Sequence, residues 1–143
     1  MRSLLVVAAI LGGCATVQTP APESEPVPAP APAAPIGSPA VVSLVTSARA
    51  DAEAGRLVQA AASLERALRI EPRNPHLWQE LARVRLKQGD YAQVESVAAR
   101  SNSWAGSDSR LRAENWRLIA QAREARGDAA GARAALETAE RQR

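Results

Sequence analysis

Most of the reactive chemistry in this 143-residue sequence rests on three side chains that occur once each: the thiol of Cys14, the imidazole of His76 and the ammonium of Lys87. A metal centre or a His-assisted nucleophile needs a second His or Cys, and neither exists here. Lys87 has no Ser at a useful spacing, and no Gly-rich phosphate loop is present. Asp51 and Glu53 stand two apart on a predicted helix, so their carboxylates do not face each other. His76 falls in the first turn of a predicted helix, directly after Pro75, which is a capping position more than a catalytic one. The inventory points away from an enzyme. Cys14 is the exception, because a thiolate is a strong nucleophile at accessible pH and its neighbours give it a setting.

Met1-Arg2 is a minimal positive start, Leu4 to Leu11 is an uninterrupted apolar run, and Gly12-Gly13 are small residues at a cleavage point. The run is too short to cross a bilayer, which needs about 20 residues as a helix. It reads as an export signal over residues 1–13, and cleavage after Gly13 would leave Cys14 at the new N-terminus. Leu11-Gly12-Gly13-Cys14 resembles the lipobox of bacterial lipoproteins. The resemblance implies a diacylglycerol on the Cys14 thiol and an acyl chain on the freed amine, with no other cofactor. It also implies anchorage to a membrane. Ala15 at the next position implies release to the outer membrane, facing the periplasm, rather than retention in the inner one. With Cys14 lipidated no cysteine is left for a disulfide, so stability must come from packing.

Residues 14–38 follow as a tether. Thr19 to Pro39 holds eight of the ten prolines, with Ala, Ser, Glu23 and Glu25 between them. Such a composition buries no core and predicts a polyproline-like, disordered spacer with a reach of roughly 75 Å.

What remains, residues 39–143, echoes itself. A shift of 34 superposes Leu44 on Trp78, Ala48 on Ala82, Gly55 on Gly89 and Gln59 on Gln93; a shift of 38 superposes Trp78 on Trp116, Ala82 on Ala120, Gly89-Asp90 on Gly127-Asp128 and Val94 on Ala132. Four residues are therefore inserted within Asn102–Arg112. Trp78-x2-Leu81-Ala82, Trp116-x2-Ile119-Ala120, Ala60-x3-Leu64, Ala132-x3-Leu136 and Pro72 resemble the pattern of the tetratricopeptide repeat. The departures are Ala48, Ala82 and Ala120 for a small Gly, Asp51, Arg85 and Arg123 for a Tyr, and Val94 and Ser101 in the second unit. The resemblance implies an all-α fold of three helix–turn–helix units, about 41–74, 75–108 and 113–143, stacked as a short right-handed solenoid.

Start and stop signals place the helices. Ser38-Pro39 and Asn74-Pro75 read as N-caps followed by Pro at N1; Asp90 and Asp128 cap second helices; Gly55, Gly89 and Gly127 sit where a left-handed residue must end a helix. The predicted helices are 39–54, 57–70, 75–88, 91–101, 109–126 and 129–141. Trp78 and Trp116 lie on the apolar stripe and belong to the core. Trp104 lies in or beside the insertion, off any period, where it packs under a loop or meets a partner.

A pI near 10.0 suggests nucleic acid, but Arg2, Glu23 and Glu25 lie before residue 40, leaving the repeats with a net charge of only +4. Their charges alternate in sign as on a solvated surface, and export removes nucleic acid as a partner. In tetratricopeptide proteins the first helices of successive units line a groove for an extended peptide or a helix. The resemblance puts Arg49, His76, Gln79, Arg83, Lys87, Arg117 and Gln121 there, which implies an acidic or extended segment of an envelope protein as ligand. The final helix, with Ala135 and Leu136, offers an open end for a second copy. The sequence thus predicts a non-catalytic envelope scaffold serving envelope assembly, secretion, pilus or cell-wall machinery, or alternatively a self-associating spacer without a peptide ligand.

Overall fold

The computed structural model describes residues 37–142; the export signal, Cys14 and nearly all of the Pro-rich tether lie outside them. The described chain forms six helices, α1 (Pro39–Glu53), α2 (Leu57–Ile70), α3 (Pro75–Gln88), α4 (Tyr91–Trp104), α5 (Ser109–Ala125) and α6 (Ala129–Glu140). Five of the six begin on a side-chain cap. Ser38 and Asn74 accept from Val41 and His76 ahead of Pro39 and Pro75, and Asp90, Asp108 and Asp128 accept from Gln93, Leu111 and Gly131. Only α2 lacks one.

Gly89 shows how the helices stop. It closes α3 at φ 77°, in the left-handed region, and its N–H reaches back to the last turn. A Cβ here would meet only the Tyr91 ring at 3.9 Å, an ordinary contact, so the cost of substitution is conformational. Gly89→Ala is expected to lower stability by about 1 kcal/mol in a urea melt followed by circular dichroism. No loss would mean that this turn tolerates another conformation.

The helices follow the expected bounds within a residue, with one correction: α4 continues to Trp104 instead of ending at Ser101. It thereby matches α2 residue for residue at a shift of 34, and α5 begins at Ser109 as α3 begins at Pro75. The four inserted residues consequently make no loop. They are absorbed mainly by α5, which has 17 residues against 14 in α3. Four residues turn a helix by about 400°, only about 40° beyond a full turn, so Trp116 still falls where Trp78 does. The added turn is held by the Asp108 cap on Leu111, a buried residue.

Packing follows the repeat. α1 pairs with α2, α3 with α4 and α5 with α6, while α2 against α3 and α4 against α5 join the units. Ala48, Ala82 and Ala120 on first helices, and Ala60, Val94 and Ala132 on second helices, are all buried, so the small residues let the helix axes approach closely. Leu64 is 1% exposed beneath the following unit, whereas its equivalent Leu136 on α6 is 47% exposed. Ala135, expected at an open end, is buried.

The Tyr replacements join unit to unit. Arg85 of α3 pairs with Glu65 of α2 at 2.6 Å, and Arg123 of α5 pairs with Glu95 of α4 at 2.9 Å. Asp51, in the first unit, pairs instead with Arg56 across its own turn at 2.7 Å.

Candidate functional site

The first helices carry a row of charges that alternate in sign. Arg49 of α1 meets Glu80 of α3 at 2.6 Å, Glu80 also faces Arg83 at 3.6 Å, Arg83 meets Glu114 of α5 at 3.0 Å, and Glu114 faces Arg110 at 3.4 Å. The arginines of these pairs are open to solvent, 43–89% exposed, and the carboxylates partly so, and each pair contributes about 0–1 kcal/mol. Their larger consequence is electrostatic: the cations expected to attract an acidic ligand already have carboxylates beside them. Between α1 and α3 the row borders a shallow cleft of about 270 Å³ with Val41, Val42, Val45 and Leu77 in its walls.

Of the other residues assigned to this groove, His76 lines the same cleft as Arg49 and Glu80, whereas Arg117, Lys87 and Gln79 have other neighbours. His76 is exposed at the start of α3, where Asn74 caps its N–H at 3.1 Å. Gln121 is exposed on α5. Arg117 turns to Glu140 of α6 at 3.9 Å. Lys87 sits beside the α1–α2 turn, with Gly55 and Leu57, one helical turn beyond Arg83 on α3. Gln79 is the clear correction, being 5% exposed and therefore facing the interior.

Gln79 belongs to a buried polar network that joins the second and third units. Its amide donates to Asn115 Oδ1 at 3.1 Å; Asn115 Nδ2 donates to Ser101 Oγ at 2.7 Å and to Asn102 Oδ1 at 2.8 Å; Ser101 Oγ donates to the Pro75 carbonyl at 2.8 Å. Asn115 is fully buried. Ser101, a departure from the small apolar pattern, is there because Asn115 needs a partner.

Trp104 ends α4 and is 40% exposed. The Arg73 guanidinium lies over its ring at 5.2 Å, a cation–π contact. Together with Pro72, Pro75 and His76 it lines an open cleft of about 470 Å³ at the α2–α3 turn. Glu71, also on this cleft, accepts from Asn74 and from the Ser38 N–H at 2.7 and 3.1 Å, and these bonds hold its carboxyl below its ordinary value, the Asn74 bond most of all. Sequence reasoning found Trp104 but not its partner, because a turn residue one unit away leaves no periodic signal. Trp78, by contrast, packs on the core and donates to the Pro72 carbonyl at 2.8 Å.

Among the described residues no three His, Cys, Asp or Glu side chains come together as a metal-binding set. The geometry is that of a contact surface built on stacked helix hairpins. A family model for the tetratricopeptide repeat matches residues 51–113, and the chain belongs to the tetratricopeptide-repeat family. Among solved structures its helical part is similar to the globular C-terminal domain of LpoP from P. aeruginosa, at 49% identity and a TM-score of 0.71, over 73% of this chain and 98% of that one. None of the curated proteins matches the chain significantly.

Proposed function

We propose that the protein is an exported envelope lipoprotein, anchored through Cys14 and acting as a non-catalytic scaffold that holds another envelope protein on its repeats. The observation that carries this reading is the repeat architecture itself: three stacked hairpins with a cleft between first helices, similar to the LpoP C-terminal domain along almost the whole of that domain. The signal, lipobox and Pro-rich tether of the sequence supply export, an anchor and a stand-off from the membrane. Ala15 favours the outer membrane, with the repeats in the periplasm. The matched ion pairs along Arg49, Glu80, Arg83 and Glu114 suit an extended segment bound through shape and backbone hydrogen bonds better than one bound through net negative charge.

Photo-crosslinking residues placed singly at positions 49, 76, 83, 104 and 121 of the full chain in living cells test this. A distinct envelope protein is expected to attach from a contiguous subset of positions, with Val58 on α2, 73% exposed, as a silent control. Crosslinks only to a second copy of the chain would establish the self-associating spacer instead, and crosslinks to no protein would remove the scaffold.

A further inference from the structure

A second surface lies on the second helices. α2 and α4 flank a furrow of about 580 Å³, with Trp78 and Leu81 of α3 at its floor and Leu68 and Val97 on its walls. Pro72 also lines the Trp104 cleft, and Arg69 also lines a shelf that includes Leu44 and Ile70. Ile70 and Trp104, on those two neighbouring surfaces, are 50% and 40% exposed.

The charge on these surfaces is unlike that of the first-helix row. Arg66, Arg69, Arg73 and Arg100 have no ion pair among the described residues. The nearby acids already have partners: Glu65, on the furrow, is neutralised by Arg85 beside it at 2.6 Å, and Glu71 accepts from Asn74 and the Ser38 N–H. Arg73 and Arg100 rest on the faces of Trp104 and Trp78, at 5.2 and 5.8 Å from the ring centroids. Stacking holds a guanidinium by its face and leaves its N–H edges for a carboxylate.

We infer that this furrow docks an acidic amphipathic segment of a partner protein, a site distinct from the first-helix groove. The inference rests on the scaffold reading and gives the partner its chemistry. Apolar side chains spaced three and four apart on a helix would fill the furrow over Trp78 and Leu81, while flanking carboxylates meet Arg69, Arg73 and Arg100. A furrow favours a protruding helix over a lipid surface, because headgroups laid across its rim would leave the apolar floor unfilled.

The probe is a synthetic amphipathic peptide with Leu on one face and Glu on the other, titrated against the full chain in detergent and read by fluorescence anisotropy. A twin peptide with Lys for Glu controls for apolar binding. The Glu peptide is expected to bind at least tenfold more tightly than the Lys peptide. Arg69→Glu with Arg73→Glu is expected to weaken it more than tenfold with the circular dichroism unchanged. Arg83→Glu with Arg117→Glu, on first helices, is expected to change it less than twofold. Equal losses from the two pairs, equal affinity for the two peptides, or failure of the Glu peptide to bind would overturn the furrow. So would binding to phosphatidylglycerol vesicles that depends on Arg69 and Arg73 while the peptide does not bind. Failure here beside crosslinks from positions 49 and 83 would leave the scaffold standing with its ligand on the first helices.

Discussion

Asn115→Ala is expected to destabilise the helical domain by about 3 kcal/mol, a large share of the roughly 5–15 kcal/mol that holds an ordinary domain together. Asn115 is fully buried, and its side chain satisfies Gln79, Ser101 and Asn102 at once. Alanine would leave the Gln79 amide and part of the Ser101 hydroxyl without partners in a place water does not reach. Each such orphan costs about 1–3 kcal/mol, and the vacated space adds to that. The repeat itself supplies the control. The equivalent positions hold Leu77 for Asn115, Ala67 for Ser101 and Val45 for Gln79, all apolar. A triple variant, Gln79→Val with Ser101→Ala and Asn115→Leu, removes the three central groups together, leaving the Pro75 carbonyl and the Asn102 amide without those partners, and is expected to lose less stability than the single alanine. Urea melts followed by circular dichroism measure both. A loss under about 1 kcal/mol for Asn115→Ala would mean that the network is wet or locally rearranged.

The helices were legible because each end is written locally. Ser38-Pro39, Asn74-Pro75, Asp90 and Asp128 announce starts, and Gly89 and Gly127 announce stops, through interactions within four residues of themselves. The four-residue insertion was legible as a break in register, but its form was not. Asn102-Ser103-Trp104-Ala105-Gly106 reads as a loop from composition, yet Asn102 is held by Asn115 from another helix and α4 runs on to Trp104. Tertiary packing overrode weak local propensity there.

The charge pairing along the first helices was legible only in part, for the same reason. Periodicity tells which residues share a face of one helix, and the tetratricopeptide resemblance assigned Arg49 and Arg83 to first helices, here α1 and α3. It does not tell what stands across from them. Glu80 and Glu114 lie opposite those arginines only because the units stack at this spacing, and Gln79 is covered only because α5 brings Asn115 over it. Arg66 and Arg69, which look like ordinary solvated charge in the sequence, emerge without ion pairs beside an apolar furrow. The balance of charge between two faces is thus a property of the stacked repeat and not of any single helix.

Cys14→Ser is expected to abolish membrane association of the mature protein, the largest functional effect of any single change considered. A serine hydroxyl does not ionise at accessible pH as a thiol does, so it cannot take the diacylglycerol. Each buried CH₂ of an acyl chain contributes about 0.8 kcal/mol, and two or more chains make an anchor that does not dissociate in practice. Without it, no helix among the described residues is long and apolar enough to cross a membrane, and the repeats' net charge of +4 is small beside what a lipid-free electrostatic anchor requires. The wild-type chain should therefore remain in the membrane pellet after a carbonate wash, and mass spectrometry should find it beginning at acylated Cys14. The Cys14→Ser chain should appear either in the soluble fraction or as a precursor still carrying Met1. A wild-type protein with a free thiol at Cys14 or with Met1 retained would refute the lipoprotein reading, whatever the repeats bind.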